Sequence, residues 1–330
     1  MRTALNAIHK ISNDLYMRQW KRAHPDFLVV FNWHQITPSF DPLLHHEYTW
    51  SQLDDFEREL SLLAAEFRVL PLHKGIKLIE RHELRGPCAA LTFDDGDVSM
   101  QEHVLPLLRK HGLPATFFIN SAYLDGCGSY WFPILNWLLL NPDAWRGNGL
   151  PREFESHALK LRQTSDPMFY GEWRTRIEQL APLVPNLGAR LVSSDWLDSL
   201  DGDQFAIGAH GHEHERFSMM PKEWQLNDLT NNVKFLSKFR SYRPIFAVPF
   251  GRGQDWTEET LCIARDSGLD VVLADGGINV STSYKYRRIP SDSRKLAPLV
   301  SAAIAGTRSP WPFVPRFRKF LRSKRDAGPK

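Results

Sequence analysis

The sequence predicts an α/β protein whose parallel sheet has enough strands to suggest a barrel. Three observations support this fold class. Short apolar, β-favouring runs alternate with amphipathic segments of helical spacing. The runs are numerous enough for a barrel with helices outside it. The chain has 330 residues, of which 42% are hydrophobic, so it can bury one barrel-sized core or two smaller ones.

Residues 27–120 contain four predicted strands with helices between them. The strands are Phe27–Trp33, Arg68–Leu72, Cys88–Phe93 and Ala115–Asn120. The helices have apolar residues three and four apart and span Trp50–Phe67, Gly75–Glu83 and Gln101–His111. Ser51 is the expected cap of the first helix, and Gly112 ends the third. Residues 37–50, which are rich in proline and histidine, are expected to form a long loop.

The alternation of strands and helices is interrupted between about residues 121 and 194 and then resumes. This stretch has helix-like patterns, and we interpret it as a helical insertion. Its tryptophans either line a groove for sugar rings or form the core of the insertion; they are Trp131, Trp137, Trp145 and Trp173. Downstream, the predicted strands are Phe205–Ala209, Ile245–Phe250, Val271–Ala274 and Tyr286–Ile289, and the predicted helices are Glu223–Phe239 and Trp256–Ser267.

Charge divides the chain into basic ends and an acidic body. Residues 1–25 carry a net +4, residues 306–330 carry +7, and the body from 26 to 305 is left with −8 within a total of +3. The acidic body argues against nucleic acid as the ligand. We predict a basic N-terminal helix over 1–25 and a basic amphipathic tail over 306–330. Either end could contact an anionic membrane, or the helix could pack on the body and the tail be solvated.

The three cysteines, Cys88, Cys127 and Cys262, are odd in number and far apart, so we expect them to be reduced. The N-terminus has no continuous apolar core of a signal peptide, and no window reaches the length of a membrane span. We therefore predict a cytoplasmic protein, with association at the cytoplasmic face of a membrane as an option.

Two polar motifs follow predicted strands and together indicate a metal site. In LTFDDG, Asp94 and Asp95 come directly after the apolar run, and two adjacent carboxylates there repel each other and need a compensating cation. His210 and His214 are four apart in IGAHGHEH. Two neutral imidazoles and one carboxylate make a three-ligand site for a zinc-like ion with a position left open for water. The second aspartate is then free to act as a base.

These motifs, in their order and spacing, resemble the polysaccharide deacetylases of carbohydrate esterase family 4, which share the nodulation-type chitooligosaccharide deacetylase domain. The segments that carry the resemblance are LTFDDG, PLLRKHGLPATFFIN, HGHEH and FAVPFG, and they fall within residues 27–290. The resemblance implies a distorted (β/α) barrel of about seven parallel strands. It also implies hydrolysis of an N-acetyl amide on a sugar of a polysaccharide, an oligosaccharide or a glycan precursor.

The resemblance also assigns roles to residues of the two motifs. Asp94 corresponds to the family's general base and Asp95 to its metal-binding carboxylate. His210 and His214 correspond to the two histidine ligands, and His212 between them to a residue that does not bind the metal. The implied cofactor is one divalent ion. Zinc is the expected metal, and cobalt, nickel or iron would also suit the ligands.

Pro249 and Phe250 match the proline-aromatic motif that walls the family's site, with the Phe250 N–H facing the oxyanion. In the implied reaction the metal polarises the carbonyl and lowers the pKa of a water molecule, Asp94 removes the proton, and a backbone donor stabilises the tetrahedral intermediate.

The sequence departs from the family pattern at two positions next to these motifs. Gly211 stands where Ser or Thr is usual after the first histidine, which is expected to loosen the hydrogen bonding of that loop. Ala247 stands where many members have the arginine that orients the base. Arg252 and Arg288 are the candidates to replace that arginine beside Asp94.

The third departure is the missing general acid. The family's last motif usually supplies a histidine, and the matching region, Tyr286–Asp292, has none. We assign the role to His34, which follows the first strand, with His45 or His46 as alternatives, although a structural role for His34 also fits. These departures leave two other functions open: a degenerate family member that binds glycans or acts as a scaffold, or a deformylase acting on a related sugar amide.

Overall fold

The computed structural model describes residues 26–41, 45, 49–126, 131–141, 143, 179–184, 191–281 and 283–292. The predicted N-terminal helix, the C-terminal tail and most of the predicted insertion lie outside the described residues. Within the insertion, a helix spans Trp131–Leu140, and Trp137 on it is half-buried. Both interpretations of the insertion tryptophans therefore stay predictions.

The main sheet consists of parallel strands surrounded by helices. Its strands are β1 (Phe27–Trp33), β4 (Arg68–Val69), β5 (Pro87–Phe93), β6 (Ala115–Ile119), β7 (Phe205–Ala209), β8 (Tyr242–Ala247), β9 (Asp270–Leu273), β10 (Lys285–Arg287) and β11 (Ile289–Pro290). Two short strands, β2 (Gln35–Thr37) and β3 (Trp50–Gln52), pair with each other separately. Helices α1 to α7 span Leu53–Glu66, Leu72–Glu80, Leu105–His111, Trp131–Leu140, Ser194–Ser199, Lys222–Leu236 and Glu258–Asp266, and a π-helical turn, Met100–Val104, precedes α3.

The sheet closes on itself through the segment from Lys285 to Pro290. The order of paired strands runs β10, β9, β8, β7, β6, β5, β1 and β11, and β4 pairs with β5 at its side. β10 pairs with β9, whereas β11, one residue further along the same segment, pairs with β1. β10 and β11 therefore occupy a single strand position in the barrel. The predicted distorted barrel of about seven parallel strands is confirmed.

Apolar side chains fill both faces of the barrel strands, as expected for a parallel sheet covered by helices. The outer face packs against the helices, and the inner face is filled by a smaller cluster that includes Leu28, Val30, Cys88 and Phe118. Buried residues of α2 belong to this inner cluster. A Cβ added to Gly75 of α2 would lie 3.0 Å from the Leu28 side chain, near the start of β1. Helix α2 therefore covers the amino end of the barrel, and the carboxyl end remains for a site.

Two sequence-based boundaries are wrong for identifiable reasons. Trp50–Gln52 is a strand, and α1 begins after it; Gln52, rather than Ser51, is the cap, because its side chain accepts a hydrogen bond from the Asp55 N–H. The fifth long strand is Tyr242–Ala247 and does not extend to residue 250. Pro249 has no N–H for a sheet ladder, and Phe250 has a φ of 61°, which ends extended backbone.

No helix among the described residues is long and apolar enough to cross a membrane.

Candidate active site

The site residues predicted from the sequence lie at the carboxyl ends of four barrel strands. His34 follows β1, Asp94 and Asp95 follow β5, the histidine pair follows β7, and Pro249 and Phe250 follow β8. Because all of these strands are parallel, their carboxyl ends meet at one end of the barrel. The structure therefore gathers residues that are more than two hundred positions apart in the sequence.

Three potential metal ligands face one another at this end. Asp95 Oδ1 lies 3.3 Å from His210 Nε2 and 3.2 Å from His214 Nε2, and the three ligand atoms lie within 4.8 Å of one another. His210 Nδ1 lies 2.7 Å from the Ala247 carbonyl oxygen, so Nδ1 carries the proton and Nε2 presents a lone pair. Asp95 Oδ1 is buried and accepts no hydrogen bond within the described residues. Three ligand atoms that converge in this way could hold a cation.

The charges of these groups suit a metal such as zinc. Burial alone would raise the pKa of the Asp95 carboxyl, but the imidazoles of His214, His210 and His34 hold it well below its usual range. Burial lowers the pKa of His214, which favours the neutral ring that a metal requires. One carboxylate and two imidazoles with a position left open are the donor set of catalytic zinc sites.

The backbone is strained at this end of the barrel. Among the described residues, five that are not glycine have positive φ, and three of them belong to the site: Asp95 (76°), His214 (56°) and Phe250 (61°). A left-handed conformation costs such residues about 1–3 kcal/mol each, and it persists only where the surrounding structure imposes it. The surrounding structure therefore imposes the backbone conformation of Asp95, His214 and Phe250.

Buried polar groups of α6 support the histidine loop from behind. The Asp228 carboxylate accepts hydrogen bonds from the N–H groups of His212 and Glu213 at 2.8 and 2.9 Å. The side-chain oxygen of Asn232 accepts the His210 N–H at 3.0 Å. Gly211 has a φ of 76°, and a Cβ there would lie 2.9 Å from an Asp228 oxygen. The glycine is thus required by this packing, and the expected loosening of the loop is not seen.

Arg288 takes the place of the arginine that the family pattern led us to expect beside the base. Its NH1 donates to Asp94 Oδ1 at 2.7 Å, and the Asn32 amide donates to Asp94 Oδ2 at 3.1 Å. Burial opposes the charge on Asp94, but Arg288 and the nearby imidazoles of the site lower the pKa of its carboxyl. Asp94 is therefore ionised at neutral pH, as a general base must be. Arg252, the other candidate, is exposed.

His34 is held at the site by Asp292, which the sequence analysis did not assign. Asp292 accepts hydrogen bonds from the His34 ring Nδ1 at 2.6 Å and from the His34 N–H at 2.9 Å. The other ring nitrogen, Nε2, lies 3.8 Å from Asp94 Oδ2. Burial disfavours the imidazolium, but Asp292, Asp95 and Asp94 outweigh it and raise the pKa of His34 to about 9. The signal for Asp292 was its place two residues after the last strand.

Of the alternative acids, His45 is buried, and its Nδ1 accepts the Asp41 N–H. His46 lies outside the described residues.

Phe250 lies beside the candidate ligands, with its ring 5.0 Å from that of His214. The Arg216 guanidinium lies 5.4 Å from the centre of the Phe250 ring and pairs with Asp255 at 3.1 Å. Phe250 therefore contacts both His214 and Arg216.

Comparisons with known proteins show the family and the fold. The family model described as polysaccharide deacetylase matches residues 81–272, which is more than half of the chain. A search of curated proteins finds no match.

Solved structures share the fold. The deacetylase PplD of Streptococcus pyogenes, solved with acetate, is 15% identical with a TM-score of 0.57, and the alignment covers 83% of this chain and 98% of that one. IcaB from Ammonifex degensii is 18% identical with a TM-score of 0.57, covering 86% and 98%. A de-N-acetylase from Aggregatibacter actinomycetemcomitans is 14% identical with a TM-score of 0.56, covering 83% and 100%.

Proposed function

Since the chain belongs to the polysaccharide deacetylase family, we propose that it is a metal-dependent hydrolase that removes an N-acetyl group from a sugar. The substrate class comprises a polysaccharide, an oligosaccharide or a glycan precursor. The observation that carries the proposal is the convergence of Asp95, His210 and His214 beside a separate, ionised carboxylate, Asp94. A metal site alone would not need that second carboxylate.

In this proposal Asp95, His210 and His214 hold the metal, with zinc as the expected ion. When bound, such an ion polarises the amide carbonyl and lowers the pKa of a coordinated water molecule. Asp94 accepts the proton of the attacking water, and Arg288 and Asn32 keep its carboxylate ionised and oriented. Phe250 offers its backbone N–H to the developing oxyanion.

The leaving amine needs a proton, and His34 is placed to deliver it. Asp292 accepts from one ring nitrogen, so the other carries the transferable proton into the site, 3.8 Å from Asp94. The raised pKa of His34 favours the imidazolium, which can donate. A cation bound beside Asp95 would lower that pKa, which makes the proton easier to transfer.

The degenerate, glycan-binding alternative rested on a missing arginine and a missing acid. Arg288 and the pair of His34 and Asp292 offer replacements for both, which favours the enzyme. The deformylase alternative is separated by its product, because it would release formate in place of acetate.

The test is acetate release from N-acetylhexosamine oligomers, nucleotide sugars and lipid-linked glycans, with and without a chelator, together with metal analysis of the purified protein. Asp94→Asn is expected to lower the rate by about 10²–10⁴-fold, the usual contribution of a general base. The control is Asp266→Asn, which changes a surface carboxylate on α7. Protein without a stoichiometric divalent ion, and acetate release that responds neither to chelation nor to Asp94→Asn, would refute the proposal.

Cytoplasmic location and membrane contact are separate proposals supported by the sequence. Reduced cysteines favour the cytoplasm, and the basic residues at both ends favour an anionic surface. Deleting residues 311–330 should weaken binding to anionic vesicles. Unchanged vesicle binding, or recovery of a cleaved protein outside the cytoplasmic membrane on fractionation, would contradict these proposals.

A further inference from the structure

The loop that follows β8 carries the Phe250 N–H, the proposed donor to the oxyanion, and this loop ends at a buried carboxylate, Asp255. Asp255 Oδ2 accepts the Arg252 N–H at 2.8 Å. The Asp255 N–H in turn donates to the Arg252 carbonyl oxygen at 2.8 Å. Asp255 therefore fixes the turn from 252 to 255, and one oxygen of its carboxylate is left to contact another segment.

The second oxygen of Asp255 joins this loop to the segment that carries His214. Arg216 lies two residues after His214, and its Nε is 3.1 Å from Asp255 Oδ1. Two hydrogen bonds join the same segments: the Ser218 N–H donates to the Asp255 carbonyl oxygen at 3.0 Å, and Ser218 Oγ donates to the Gln254 carbonyl oxygen at 2.8 Å. The two charged side chains are only 12% and 1% exposed, so solvent screens their attraction little.

Arg216 also contacts the side chain of Phe250. Its guanidinium carbon lies 5.4 Å from the centre of the Phe250 ring, which is within the range of a cation–π interaction. The Phe250 backbone has a φ of 61°, a conformation that persists only where neighbouring groups impose it. A group that holds the ring therefore also helps to fix the direction of the Phe250 N–H.

We propose that the ion pair of Arg216 and Asp255 positions the oxyanion donor, by holding the Phe250 N–H in a fixed place relative to the metal ligands. The inference rests on the proposed function and adds to it two residues that act through Phe250. An oxyanion donor is effective because it is already oriented before the reaction. A displacement of about 1 Å in an active site can lower the rate about 10²-fold.

The test measures kcat, KM and bound zinc in Arg216→Met, which keeps a long side chain but loses its charge. We expect kcat to fall about 10- to 100-fold, because a loosened donor loses part of its contribution to the rate. KM and zinc content should stay near the wild-type values. Asp255→Asn should act in the same direction, and Arg216→Lys should recover part of the loss because its ammonium can still pair with Asp255. The double variant should lose no more than the less active single variant, because the two residues act as one pair.

Arg265→Met is the matched control. The Arg265 guanidinium also lies near an aromatic ring, 5.7 Å from the centre of Tyr284, and its Nε lies 3.7 Å from an Asp266 carboxylate oxygen. This pair is exposed and lies at the end of α7 that precedes β9. Arg265→Met should therefore keep the wild-type kcat.

Backbone motion in the zinc-loaded protein, measured without substrate, separates the two proposals. Nitrogen-15 relaxation gives the order parameter of the Phe250 N–H, which we expect to fall from about 0.85 in the wild type to below about 0.6 in Arg216→Met. If the wild type releases no acetate but this order parameter falls, the deacetylase proposal fails and the positioning of Phe250 stands.

If acetate is released but Arg216→Met and Asp255→Asn keep both the wild-type kcat and the wild-type order parameter, the positioning proposal fails and the deacetylase stands. A loss that appears in KM or in zinc content while kcat is unchanged would also overturn the positioning proposal. Circular dichroism of each variant verifies that it is folded.

Discussion

Arg288 and Asp94 form a buried ion pair whose members lie 194 positions apart in the chain. Their side chains are 1% and 3% exposed, so each charge depends on the other for compensation. The Asn32 side chain contacts both, accepting from Arg288 and donating to Asp94. At the scale of single residues, such pairings decide which groups of the site carry charge at neutral pH.

Replacing Arg288 should change the acid side of the pH profile. In Arg288→Gln, burial is no longer opposed by the guanidinium, so the pKa of Asp94 rises and the acid limb of kcat/KM moves to higher pH. We expect at least a tenfold loss at neutral pH that is partly recovered in alkaline buffer. Arg288→Lys should restore part of the loss. An acid limb that stays in place would mean that Arg288 does not set the ionisation of the base.

Replacing Asp292 should change the alkaline side of the pH profile. The Asp292 carboxylate raises the pKa of His34 against the effect of burial, so in Asp292→Asn the ring loses its proton at lower pH. The alkaline limb of kcat should therefore move to lower pH, with the metal content unchanged. A bound cation lowers the pKa of His34 in both proteins, so the difference between the two profiles is the measurement. Identical limbs would contradict the role of His34 as the acid.

At the scale of elements, α6 shows how the site changes which residues of a helix are buried. Its sequence pattern predicts an apolar face, yet Leu226 is 45% exposed, whereas Asp228 and Asn232 are buried. Both polar side chains hold the histidine loop through backbone N–H groups. The face that packs on the barrel is therefore partly polar, because it must satisfy a strained loop as well as fill the core.

At the amino end of the barrel, the ionised carboxylate of Asp270 at the start of β9 destabilises the folded state. Burial and the Glu80 carboxylate of α2 raise the pKa of Asp270 to about 6 from its ordinary 3.8. The folded state therefore binds the proton more tightly than the unfolded chain, and stability falls as pH rises from about 4 through 6.

Asp270→Asn should remove this destabilisation of the folded state. We expect about 1 kcal/mol of added stability and a melting temperature higher by a few degrees at pH 7.5, with the advantage largely gone at pH 4, where the carboxyl is protonated in both states. Thermal unfolding at the two pH values measures this, and Glu80→Gln should give a smaller gain. An Asn variant that is less stable than the wild type at pH 7.5 would contradict the expectation.

At the scale of the whole molecule, metal binding should link the loop after β5 to the loop after β7, which are far apart in the sequence. Asp95 follows β5, and the histidines follow β7. An ion bound only by the folded state stabilises it by about 2.7 kcal/mol at a hundred times its Kd. For a protein of this size that corresponds to a rise of about 4 °C in melting temperature.

Calorimetry with added zinc measures this stabilisation, and a chelator should reverse it. Magnesium at the same concentration should have little effect, because it prefers oxygen ligands. In Asp95→Asn the zinc effect should disappear while the protein remains folded. A wild type whose melting temperature does not respond to zinc, cobalt, nickel or iron would contradict the assignment of the three ligands.

The sequence by itself determined the fold class and the residues of the candidate metal site. The strands are short apolar runs, and the ligands follow them directly, so local patterns together with the rule that parallel strands end at one edge were sufficient. Asp94, Asp95, His210 and His214 are recognisable because each pair is contiguous or four residues apart.

Only the tertiary structure decided what surrounds those residues. Arg288 reaches Asp94, and Asp292 reaches His34, because Lys285–Pro290 closes the barrel between β9 and β1. No local pattern records that closure, since the partners lie 194 and 258 positions apart. Two other predictions were wrong for the same reason. Gly211 does not loosen its loop, because it packs against Asp228. Trp50 is in a strand rather than a helix, because it pairs with β2. Contacts between distant segments depend on how the sheet closes, and hydrophobic periodicity does not contain that information.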